Sequence, residues 1–228
     1  MRKIKKIVDL SWEFTAETPI YPGDPEPSVT VATTLENEGY NLSTLVMGTQ
    51  TGTHVDAPYH FSNSGETIDN MELDFFLGEA VVVRVTDKKA DEAITLEDIE
   101  PYKEEICEGK IVLFNTNWYK TRGTDEFFHH PYVNGDVAKY LVDNGVRFIG
   151  IDTINADHIP IPAKQKRYSK STDENRRDNC EQPSGITPDF FRIHYSSSHC
   201  TAIALTGEPS HPISFIGSAI TYGRSKSI

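Results

Sequence analysis

Cysteine, positive charge and long apolar runs are all in short supply in this chain, and each shortage excludes a class of protein. Of 228 residues only three are cysteine, Cys107, Cys180 and Cys200, with no C-x-x-C spacing among them. That rules out a disulfide-stapled framework and points to reduced thiols in a cytoplasmic protein. Lysine and arginine number 22 against 34 aspartates and glutamates, a net charge of −12. A surface of that sign repels phosphate, so general nucleic-acid binding and an anionic membrane surface are both disfavoured. A small neutral or cationic substrate remains compatible. The basic start, Met1 to Lys6, gives way to Asp9, Trp12 and Glu13 instead of an apolar run. Neither a signal peptide nor a membrane-spanning segment is therefore expected.

What is there suits one ordinary domain. The length allows a substantial core, and 37% hydrophobic with 10% aromatic residues is a globular composition. No repeat and no domain boundary is visible, so residues 1–228 read as a single domain. The most informative stretch is Gln50-Thr51-Gly52-Thr53-His54-Val55-Asp56-Ala57-Pro58-Tyr59-His60-Phe61. Gly52 and Pro58 argue against a helix, and on extended backbone His54 and Asp56 leave the same face. An imidazole and a carboxylate side by side make half of a metal site. His60 shares their parity but lies beyond a proline bend, where it could be a further ligand or a free acid/base.

Around that stretch the apolar pattern alternates between strands and a few helices. Strands are expected at Lys3 to Ser11, Ser28 to Thr33 and Asn41 to Thr49, the second with Val29 and Val31 on a half-buried face. The β-branched runs Glu79 to Val85, Lys110 to Thr116 and Val146 to Asp152 predict strands buried on both faces. Thr67 to Leu77 reads as a short helical or loop segment. Thr95 is a candidate N-cap with Asp98 completing a capping box. Asp136 to Gly145 has helical spacing, with Gly145 as the residue just past its end. Residues 163–182 offer so little to bury that they read as irregular. The fold class is α/β, a single compact mixed sheet with few helices.

The stretch at 50–60 closely resembles the signature H-x-G-T-H-x-D-x-P-x-H of the cyclase / kynurenine formamidase family of metal-dependent amide hydrolases. Val8-Asp9-Leu10-Ser11, Thr18 to Pro25 (TPIYPGDP) and Gly150-Ile151-Asp152-Thr153 look like further parts of that family's sequence. The resemblance implies a swivelling β/β/α architecture, a divalent metal such as zinc or manganese, and a homodimer or homotetramer. Carried over residue by residue, it implies His54 and Asp56 as metal ligands and His60 as the catalytic acid/base. Gln50 stands where the family has its leading ligand histidine; an amide oxygen serves manganese or magnesium better than zinc. For the family's second metal, His158 is the nearest imidazole and Glu174 a further candidate. His129 and His130 read as surface residues, and His194, His199 and His211 as having no role in the site. Trp12, Phe14 and Tyr21 read as packing or interface residues.

Two functions of different kind follow. The first is a hydrolase of a small amide or cyclic amide, similar to arylformamidase, which converts N-formylkynurenine to kynurenine and formate. The second is a catalytically impaired relative serving as a binding or oligomeric structural protein, favoured by Gln50 and the incomplete second site. A metal-free lyase or isomerase using His54 and His60 as an acid/base pair is a further option.

Overall fold

The computed structural model describes residues 6–159 and, by backbone, the strands at 191–194, 203–206 and 213–216. Strands β1 (Lys6–Asp9), β2 (Ser28–Thr33), β3 (Leu42–Val46), β4 (His54–Asp56), β5 (Leu77–Arg84) and β6 (Ala93–Ile94) come first. β7 (Lys110–Asn115), β8 (Tyr132–Val133), β9 (Phe148–Ile151), β10 (Phe191–His194), β11 (Ile203–Thr206) and β12 (Ile213–Ile216) follow. Three α-helices are interspersed: α1 (Leu35–Glu38), α2 (Leu96–Ile99) and α3 (Gly135–Asp143).

Eight strands form one mixed sheet in the order β1-β11-β12-β5-β7-β9-β10-β4. Its centre is parallel, with β7 hydrogen-bonded to β5 on one side and to β9 on the other. The three apolar runs account for this. Val81 and Val83, Val112 and Phe114, and Ile149 and Ile151 point to one face, where Ile94, Ile99, Val137 and Leu141 cover them. Ala80, Ile111, Leu113 and Phe148 point to the other, against Met71 and Phe76. A strand covered on both faces needs no alternation of polar and apolar residues. Helix α3 crosses over between β7 and β9, as a parallel pair requires.

The local punctuation follows the expected chemistry. Asn134 caps α3 by accepting from the Asp136 amide at 2.7 Å. Gly145 ends that helix at φ +77°, where the Cβ of any other residue would meet Glu108 at 2.9 Å. Thr95 donates its amide to Asp98 at 2.6 Å, closing the capping box of α2. Residues 67–77 form two short 3-10 turns, Ile68–Asn70 and Leu73–Phe76.

One expectation fails. Strands β2 and β3 pair antiparallel as a separate two-stranded ribbon, and it is not half-buried. Val29 is 44% exposed and Val31 71%, and β3 is exposed along its whole length. Alternation revealed the strand but could not say whether this chain would cover its apolar face.

Near the N-terminus, Arg122 lies 5.0 Å from the Trp12 ring centroid and Tyr21 packs on Trp118, Phe127, Ile154 and Ile159. These are packing roles, as expected. Residues 163–182 and Glu174 lie outside the described residues, as do the side chains of the late histidines. No helix among the described residues is long and apolar enough to cross a membrane.

Candidate metal centre

Strand β4 is three residues long and closes one edge of the large sheet beside β10. Its brevity follows from its flanks. Gly52 precedes it at φ +82°, a conformation that glycine adopts without strain. Pro58 follows and starts a 3-10 turn, Pro58–His60, in which the His60 amide donates to the Ala57 carbonyl at 2.9 Å. Within β4, His54 is 6% and Asp56 3% exposed, on one face of the strand as their spacing predicts. His60 sits on the turn, exposed, with its ring edge-on to Phe61 at 4.4 Å between centroids.

The His54 ring is held at both nitrogens. Nδ1 lies 2.7 Å from the Gly52 carbonyl oxygen, and Nε2 lies 3.3 Å from Asp56 Oδ1. A carbonyl can only accept, so the proton of the neutral imidazole belongs on Nδ1 and the Nε2 lone pair faces the carboxylate. Two buried acceptors facing each other need a cation, either a proton or a metal ion. The distance suits a metal. Bonds of about 2.0–2.1 Å at a tetrahedral angle put two ligand atoms about 3.3–3.4 Å apart. A backbone carbonyl on the far nitrogen is also the usual outer partner of a metal-ligating histidine. The donor chemistry therefore fits a divalent ion. Among the described residues, no group of three or more His, Cys, Asp or Glu side chains converges to hold one.

Residues 8–158, most of the chain, match the family described as "Putative cyclase". The chain belongs to the cyclase family. Kynurenine formamidase of Geobacillus thermodenitrificans (strain NG80-2) is 30% identical over 159 residues, 69% of this chain and 72% of the relative. Kynurenine formamidase of Bacillus mycoides (strain KBAB4) is 29% identical over 156 residues, 68% of this chain and 72% of that one. Isatin hydrolase A from Labrenzia aggregata shares the fold, with a TM-score of 0.68 over 92% of this chain and 93% of its own, at 18% identity. So does a potential metal-dependent hydrolase with cyclase activity, TM-score 0.61 over 92% of this chain and 98% of its own, at 23% identity.

Within this cyclase-family site, Gln50 sits in the turn closed by the Thr51 amide and the Gly48 carbonyl, 3.1 Å apart. Its side-chain oxygen, the one atom that could ligate a cation, accepts from the Thr49 hydroxyl at 2.5 Å. Its neighbours Thr51 and Thr53 are buried, which fixes the loop that delivers His54.

Asp24 belongs to the site's surroundings and was not picked out by sequence reasoning. Burial pushes its carboxyl up, the His60 and His54 imidazoles pull it back, and the Asp56 carboxylate adds to the rise. The interactions place it within electrostatic range of all three. The turn that carries it is closed by the Asp24 amide and the Tyr21 carbonyl at 3.0 Å, with Gly23 at φ +99°. Pro25 next to it abuts Gly48, its Cδ 3.7 Å from the point where a Cβ would stand. The Pro-Gly-Asp-Pro run marked a turn, but only the tertiary fold shows what lies beneath it.

His158 is placed elsewhere. Its Nε2 lies 3.6 Å from Asp91 Oδ1, and its ring is 4.9 Å from that of Tyr132. His129 holds the other carboxylate oxygen through Nδ1 at 3.0 Å, so Asp91 clasps both imidazoles. His130 is buried, in contrast to its reading as a surface residue, with Nδ1 2.8 Å from the Pro131 carbonyl.

Proposed function

We propose that this chain is a metal-dependent amidohydrolase that opens a carbon-nitrogen bond in a small amide or cyclic amide, as an arylformamidase does. The observation that carries the proposal is the buried His54–Asp56 pair, with its imidazole lone pair facing a carboxylate at 3.3 Å. The names of the relatives narrow the substrate: formyl-kynurenine for the formamidases, isatin for the structural neighbour. A divalent ion, zinc or manganese, held by His54 and Asp56 would acidify a water and polarise the amide carbonyl. Asp56 contributes the negative charge that favours such an ion, and the Gly52 carbonyl keeps the His54 ring oriented. His60, exposed on the turn after β4, is free to reach substrate and to pass a proton to the departing nitrogen. The shortage of cysteine supports a cytoplasmic setting, and the exposed β2–β3 ribbon supports a homodimer or homotetramer.

A specific observation favours one rival. The Gln50 oxygen is engaged with Thr49, which suits a family member that has lost the leading ligand and works as a binding protein. Metal content separates the two. Protein purified without chelators should carry about one or two divalent ions per chain. It should also hydrolyse N-formylkynurenine or a ring amide such as isatin, and lose that activity on exhaustive chelation and regain it with metal. Protein that binds no divalent ion would rule the hydrolase out and leave the binding role.

A further inference from the structure

We infer that His194 is a third protein donor to the metal centre, taking up the work that Gln50 does not do. The inference rests on the metal-centre reading above and deepens it. β10 runs antiparallel to β4, and the register sets His194 opposite His54, Ile193 opposite Val55, and Arg192 opposite Asp56. Residues directly opposed in an antiparallel pair share a face of the sheet, with Cβ atoms about 4.5–5.5 Å apart. By register, then, His194 belongs to the face of β4 that carries His54 and Asp56, and Ile193 to the other. The next strand is β9, parallel to β10 with His194 beside Ile151, so the position lies inside the sheet and not at its margin.

The chemistry of the set supports the assignment. His54 and Asp56 are two donors, one short of the three that a catalytic zinc keeps while leaving a position open for water. A second imidazole completes a two-nitrogen, one-oxygen set, which suits zinc better than an amide oxygen from position 50. Nothing local in the sequence marks His194, because 140 positions separate it from His54 and only strand pairing joins them. Arg192, opposite Asp56, is the competing feature. A guanidinium there would satisfy the carboxylate and exclude a dication.

The test is zinc affinity and the electronic spectrum of the cobalt-substituted protein. His194→Ala should weaken zinc binding more than about 100-fold, beyond the 10–100-fold cost of losing an outer partner of a ligand. Gln50→Ala should leave the affinity within a few-fold. His194→Cys replaces the imidazole with a thiolate donor. Its cobalt form should show a sulfur-to-metal charge-transfer band in the near ultraviolet that the unmodified protein lacks, and this readout requires folding but not activity. Unchanged zinc affinity in His194→Ala, or no such band in a folded His194→Cys protein that holds cobalt, overturns the role of His194 and leaves the hydrolase reading standing. An unmodified protein that binds no zinc, cobalt or manganese overturns both.

Discussion

At the scale of single residues the site turns on which atoms have lone pairs to spare. His54 spends its Nδ1 proton on the Gly52 carbonyl and presents Nε2 to Asp56. Gln50 has an amide oxygen that already accepts from Thr49 at 2.5 Å. Replacing Gln50 with histidine exchanges a hard oxygen for a borderline nitrogen, which zinc prefers and magnesium does not. Gln50→His should therefore tighten zinc binding at least about tenfold while leaving manganese nearly unchanged, as read by competition titration with a chromophoric chelator. Equal gains for both ions would mean that position 50 acts through the loop and not as a ligand. The His54–Asp56 pair was legible beforehand because two residues on one strand need only the two-residue period to place them. Asp24 and the register of His194 were not, since contacts between distant segments leave no local pattern.

At the scale of elements, the three parallel strands were legible for a related reason. An apolar run with no alternation must be covered twice, and β5, β7 and β9 are covered by the clusters around Phe114 and around Phe148. What the runs could not show is how their ends are tied. Asp152, just past β9, accepts at Oδ1 from the Thr116 amide at 2.8 Å and the Thr116 hydroxyl at 2.5 Å. At Oδ2 it accepts from the Asn117 amide at 2.8 Å and from Asn115 Nδ2 at 2.9 Å. This carboxylate holds the chain leaving β7 in place, including Asn117 at φ +65°. Asp152→Asn keeps one acceptor and turns an amino group toward two donors, so it should cost about 1–3 kcal/mol of stability at neutral pH. The pH dependence has a definite sign. Burial raises the Asp152 carboxyl above its ordinary 3.8, only partly offset by its hydrogen bonds to Thr116, Asn117 and Asn115. The native state then binds the proton more firmly than the unfolded one, and stability declines as pH rises from about 3.8 through the folded value. The gap between the native protein and Asp152→Asn should narrow across that window in urea titrations and stay flat above it. A gap that widened there would contradict the burial argument.

At the scale of the whole molecule, the β2–β3 ribbon and the net charge pull in opposite directions. A two-stranded ribbon is marginal in water on its own, and this one leaves Val29, Val31, Leu42, Leu45 and Val46 exposed. Its ten-residue core, SVTVAT paired with LSTLV less one bulged position, contains no charged side chain, although the chain as a whole carries −12. A surface that meets its own copy across a two-fold axis must not repel itself, and absence of charge satisfies that condition where a patch of either sign would not. The occupant most consistent with the ribbon is a second copy of this chain, held by apolar contact and opposed by long-range repulsion between two acidic bodies. Salt screens that repulsion within about 8–10 Å at moderate ionic strength, so the dimer should tighten as salt is raised. Sedimentation equilibrium should give twice the 25.6 kDa chain mass or a multiple of it. Val31→Glu with Leu45→Glu, both at positions exposed in the single chain, should return it to 25.6 kDa with an unchanged circular-dichroism spectrum. If the doubly substituted chain still associates, the interface lies on another surface. If the unmodified chain sediments as a monomer while amides 42–46 resist exchange, part of the same chain covers the ribbon, and the acidic surface has kept the copies apart.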